Sequence, residues 1–132
     1  MSKEKYQEIL NFWFIESSQQ DHWSKNNEYD KKIHDLFMAD LEKAIRNEYD
    51  DWQDNSKSSL ALIILLDQFS RNLFRNDPRS YAQDTKSRLL VTEGVDREYL
   101  DELDPPERLF YLLPLVHSEE MQDHLFVQQL GE

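Results

Sequence analysis

The chain has 132 residues, four histidines, no cysteine and a formal net charge of −12 from fifteen basic and twenty-seven acidic side chains. This length suits one domain with a proper core and is too short to expect two. Without cysteine there can be no disulfide or thiolate metal site, and the acidic balance argues against general affinity for DNA, RNA or anionic membranes.

The first segment, MSKEKYQEIL, lacks the apolar core of a signal peptide, and no apolar run approaches the ~20 residues needed to span a bilayer. The expectation is a soluble, cytoplasmic protein. Helix one is predicted over about residues 3–15, where Tyr6, Ile9, Leu10, Trp13 and Phe14 recur at helical spacing. Residues 17–27 read as a polar connection. Trp23 within it should tuck under the loop, and His22, like His34 further on, is expected to be solvated. Helix two follows over about residues 27–49, with Ile33, Phe37, Leu41, Ala44 and Ile45 on one stripe and Asp30, Lys31, Asp35, Glu42 and Lys43 on the wet side.

Residues 50–56 form a polar turn around Trp52, after which Asn55 or Ser56 can cap helix three. The run Leu60 to Leu66 is apolar on every side, so this helix should be central, with neighbours all round. Asp77 and Pro78 supply the cap and first position of helix four, which should run to about Thr92 with Gly94 as its left-handed C-terminal residue. Asp104 and Glu107 form a capping box for helix five, carrying Leu109, Phe110, Leu112 and Leu113. Pro114 should kink or end that helix, and Ser118 should start a sixth, over residues 118–130. The fold class is therefore all-α, with about six helices as antiparallel pairs in one domain spanning residues 1–132.

Chemistry concentrates in LALIILLDQFSRNLFR, residues 60–75. On one continuous helix Asp67, Arg71 and Arg75 share a face, with Gln68 and Asn72 on the adjoining stripe. The helix dipole disfavours an anion at Asp67 by about 0.3–1 kcal/mol, so a partner must compensate, and Arg71 is in reach. Two arrangements satisfy this. Asp67 and Arg71 can close on each other as a structural pair, with Gln68 and Asn72 serving backbone groups at helix ends. Alternatively, Arg71 or Arg75 stays half engaged and turns donors toward a carboxylate or phosphate. Asp84 and Glu119 are further acids able to complete the arginine shell. Residues 57–90 carry six basic and three acidic side chains, a cationic middle between acidic flanks.

His117 follows Pro114 and precedes Ser118, Glu119 and Glu120. As a catalytic candidate it would act as general base oriented by Glu119 or Asp67, with Ser118 a conceivable nucleophile, although no Gly-rich elbow accompanies it. His117, Glu120 and His124 could share a helical face, but ligands on one short helix seldom converge on an ion and the HExxH spacing is absent. No metal and no cofactor are expected.

NFWF near the start, an isolated Trp in the first connection, LALIILLDQFSRNLFR, the later Ala-x-Asp and LLPLVHSEE together resemble the bacterial domain-of-unknown-function 924 family. The resemblance spans essentially the whole chain and implies a tetratricopeptide-like helical fold, with no activity attached. It marks Asp67, Gln68, Phe69, Arg71, Asn72, Arg75, Asp84, Arg108, Tyr111, Pro114, His117, Ser118 and Glu119 as motif residues. Two departures stand out. Val116 takes the place of the family's usual acid before the histidine, and family members usually continue beyond the HSE helix, so the expectation is either a shortened member or a fragment.

The functional expectation is a helical interaction module that grips an acidic peptide end or small anion, using Asp67, Arg71, Asn72, Arg75, Arg108 and His117. The alternative is a hydrolase-like enzyme with His117 and a neighbouring carboxylate, its candidates being His117, Glu119 and Asp67. Neither nucleic acid nor membrane is an expected partner, and assembly into a homo-oligomer stays open.

Overall fold

A run of seven apolar residues can be satisfied only by neighbours on all sides, and the computed structural model, which describes residues 2–117 together with Leu125, Val127, Gln128 and Leu130, is built that way. Leu60, Ala61, Leu62, Ile63, Ile64, Leu65 and Leu66 are fully buried. They belong to one rod composed of α4 (Ser56–Ile63), a π-helical stretch (Ile64–Phe69) and α5 (Ser70–Leu73). Around it stand α1 (Ser2–Asn11), which ends in a π-helical turn (Phe12–Glu16), then α2 (Gln19–Trp23), α3 (Asn27–Ile45), α6 (Asp84–Asp96) and α7 (Pro105–Val116). Counting the rod once, these are six helices in one domain, with no strand among the described residues. The helix expected over residues 118–130, with Ser118, Glu119, Glu120 and His124, lies outside the described residues apart from Leu125, Val127, Gln128 and Leu130, which are helical. No described helix is long and apolar enough to cross a membrane.

The rod contacts α1, α3, α6 and α7. Aromatic rings fill the space between them. Phe37 stacks on Phe69 with centroids 5.3 Å apart, and Trp13 meets Phe69 and Phe110 edge-on at 5.7 and 5.3 Å. The caps fall where the polar residues direct them. Asn55 accepts from Ser58 N at the start of α4, and Asp104 and Glu107 complete a capping box on α7.

Six local expectations are corrected. Residues 17–27 are not simply a connection, because Ser18 and Asp21 form a capping box that starts α2. Within it Trp23 is 58% exposed, its indole lying flat on Phe110 rather than under the loop. His22 is not solvated: its ring stacks on Trp13 with centroids 4.1 Å apart and its Nε2 donates to the Trp13 carbonyl at 2.8 Å. Pro78 opens only a 3-10 turn (Pro78–Tyr81), capped by Asp77, and α6 begins later at Asp84. Gly94 is no left-handed terminus but an interior residue of α6, required because a Cβ there would overlap the Tyr111 hydroxyl. Pro114 does not end α7, which continues to Val116 and presents His117 as its C-cap. Packing against α6 and the rod outweighs the one backbone bond that proline forfeits.

Candidate functional site

The rod leaves the core at its π-helical stretch, and there the polar residues begin. The Asp67 carboxylate is buried and surrounded by donors. Gln68 Nε2 and Arg71 Nη1 reach it at 2.8 Å each, and His117 Nε2 at 3.1 Å. Arg71 Nη1 also donates to the Asp67 carbonyl at 2.7 Å, so one guanidinium edge is fixed at both ends. Compensation for the unfavourable dipole thus comes from three side chains instead of one.

The other edge of Arg71 is held more loosely. Nη2 lies 3.3 Å from both Asp84 oxygens and 3.4 Å from His117 Nδ1, longer than the 2.7–2.9 Å of a good charge-assisted bond. Since arginine only donates, His117 Nδ1 must accept, leaving Nε2 to carry the proton donated to Asp67. One tautomer of a neutral imidazole satisfies both contacts.

Arg75 does not continue the helical face. α5 ends at Leu73, and the turn that follows carries Arg75 toward α3, where Nε and Nη2 grip Asp30 at 2.5 and 3.2 Å. Asn72 donates to the same carboxylate at 2.9 Å. Asp30 therefore leaves the wet side assigned to it and ties the end of the rod to α3, its side chain only 15% exposed. Among the described residues neither Gln68 nor Asn72 bonds a helix-end backbone group, and the amide nitrogen of each donates to an aspartate. Arg108 takes no part in this network and donates from Nε to the Leu100 carbonyl at 2.8 Å. Glu119 lies outside the described residues.

Beside these pairs opens a cleft of about 290 Å³ lined by Lys25, Arg71, Arg75, Asn76, Ser80 and Tyr81. Its lining holds three cations and no acid, because Asp67, Asp84 and Asp30 grip the arginines from outside the lining. Lys25 has no ion pair among the described residues, and Arg75 Nη1 has no hydrogen bond among them. The Arg71 guanidinium carbon lies 5.4 Å from the ring centre of Tyr81, which is 64% exposed. Sequence reasoning missed Lys25, Asp30 and Tyr81. A larger hollow of about 520 Å³ lies elsewhere, between α1 and the start of α7, where Lys57 and Glu107 close on each other at 2.7 Å. None of the predicted site residues reaches it. Among the described residues no group of three or more His, Asp or Glu side chains is placed to hold a metal.

These features define an all-helical domain whose central rod ends in two aspartate-held arginines beside a cationic cleft. The chain belongs to the family of bacterial proteins of unknown function designated DUF924, whose model matches residues 9–132. A solved structure of a protein of unknown function from Agrobacterium tumefaciens is similar over 99% of this chain and 74% of its own, at 30% identity and a TM-score of 0.93. No curated protein matches.

Proposed function

We propose that the protein is a binding module whose cleft beside the DQFSRN segment holds a small anion or the acidic end of a peptide. The observation that carries this reading is the cleft lining, which gathers Lys25, Arg71 and Arg75 with no acid in a chain of net charge −12. Buttressed guanidinium groups present N–H donors in a fixed fork suited to carboxylate and phosphate oxygens. The expected tetratricopeptide-like arrangement of helix pairs is part of the same proposal, since such folds commonly work as interaction surfaces.

The hydrolase-like alternative rests on the 3.1 Å approach of His117 to Asp67. The other nitrogen of His117, however, faces the Arg71 guanidinium at 3.4 Å, a cation where a general base would need its substrate. Binding is the better supported reading. The test is a thermal-shift and NMR titration with inorganic phosphate, acetate and a short acidic peptide, repeated on Arg75→Ala and Lys25→Ala. A ligand at 100 times its dissociation constant should stabilise the chain by about 2.7 kcal/mol, and both variants should weaken that response. No response to any of the three, or equal responses from the variants, overturns the proposal.

A further inference from the structure

We infer that the cleft selects phosphate monoesters of planar groups, with Tyr81 as the platform for the planar part. This deepens the anion-site reading and rests on it. Three separate cationic side chains line the cleft, whereas a carboxylate offers two oxygens. A phosphate monoester offers three terminal oxygens and a charge of about −1.5 to −2 at neutral pH, enough to meet Lys25, Arg75 Nη1 and the loosely held Nη2 side of Arg71.

Size points the same way. At about 30 Å³ per water, a 290 Å³ cleft has room for roughly ten waters, several times what a bare oxyanion displaces. The same hollow therefore has room for a group attached to the oxyanion. Tyr81 is the one aromatic residue of its lining and is 64% exposed. Arg71 over the ring restrains both groups, so the platform and the oxyanion grip share one anchor. A planar group stacked there keeps its phosphate near Arg71, Arg75 and Lys25.

The experiment compares inorganic phosphate, ethyl phosphate and phenyl phosphate by NMR titration against the wild-type chain, Tyr81→Ala and Tyr81→Phe. Because Tyr81 is exposed, neither substitution should threaten folding, and one-dimensional spectra would verify that. Phenyl phosphate should bind about tenfold more tightly than ethyl phosphate. Tyr81→Ala should abolish that preference, so that the two esters bind alike, and Tyr81→Phe should keep it. Equal affinities for the two esters, or a preference that survives Tyr81→Ala, overturns the inference while leaving the anion site standing. Failure of all three phosphates to bind also overturns the inference, and the acetate and acidic-peptide titrations then decide whether the anion site itself stands.

Discussion

Replacing Asp67 by Asn keeps the side chain's shape and changes one oxygen into an NH₂ group. The substitution is severe because every neighbour of that carboxylate is a donor, namely Gln68 Nε2, Arg71 Nη1 and His117 Nε2. The new amide donor must face one of them, and Asp67 is fully buried, so water cannot mediate. Breaking a wholly buried pair costs about 3–5 kcal/mol, but the Arg71 side chain is 26% exposed and keeps Asp84, which lowers the expected loss to about 2–4 kcal/mol. Chemical denaturation would measure it, with a melting point lower by roughly 10 °C as the thermal counterpart. A double-mutant cycle adds a sharper reading. Arg71→Ala in the Asp67→Asn background should cost at least about 1 kcal/mol less than in the wild type, because the two residues share one interaction. Additive losses, or an Asp67→Asn change smaller than about 0.5 kcal/mol, would show that the clasp does not hold the end of the rod.

Asp30→Asn removes a negative charge beside the cationic cleft, so charge alone predicts tighter phosphate binding. The structure predicts weaker binding by about threefold or more, because Arg75 and Asn72 lose their shared anchor, and a titration showing a rise would refute the positioning role. Gly94→Ala should destabilise by about 1–2 kcal/mol despite alanine's better helix propensity, since its Cβ meets the Tyr111 hydroxyl, and an increased urea midpoint would contradict this. Burial holds the His22 pKa below its usual 6.5, opposed by the Trp13 carbonyl and Asp21. The unfolded chain therefore binds this proton at higher pH than the folded one. His22 contributes stability that is full above about pH 6.5 and lost as pH falls through the depressed folded value, and stability curves of His22→Gln should lack that part of the slope.

How much of this was legible follows from sequence distance. The central rod was legible because seven consecutive apolar residues admit only a buried helix, and the caps at Asn55, Asp77 and Asp104 because each acts within three residues. The Asp67–Arg71 pair was legible for the same reason, being four residues apart. Asp30 was misplaced because its partners Asn72 and Arg75 lie more than forty residues away, and nothing local separates it from the exposed Asp35. His22 was misplaced likewise, since the rings packed on it come from the π-helical turn after α1 and from α7. The start of α2 did carry a signal, Ser18 with Asp21 three residues on, in a segment whose polar composition suggested a connection. Gly94 was singled out correctly but for its φ freedom, when the cause was Tyr111 arriving from another helix.

The opposition between a closed clasp and an open grip dissolves once the two edges of each arginine are considered separately. A solvent-exposed arginine loses about 2 kcal/mol of rotamer freedom when it orders around a ligand. Here Asp67 fixes the Nη1 edge of Arg71, and Asp30 fixes the Nε edge of Arg75, so that ordering is completed during folding. The aspartates reduce the net charge near the cleft, which weakens long-range attraction, yet they leave Arg75 Nη1 and Lys25 without partners among the described residues. Short-range donation in a fixed geometry can exceed what the aspartates subtract, because they hold the arginines from outside the lining while a ligand would meet the cleft-facing donors directly. The structural pair is on this reasoning the means by which a binding site is kept in shape, with His117 bridging Asp67 and the Nη2 side of Arg71.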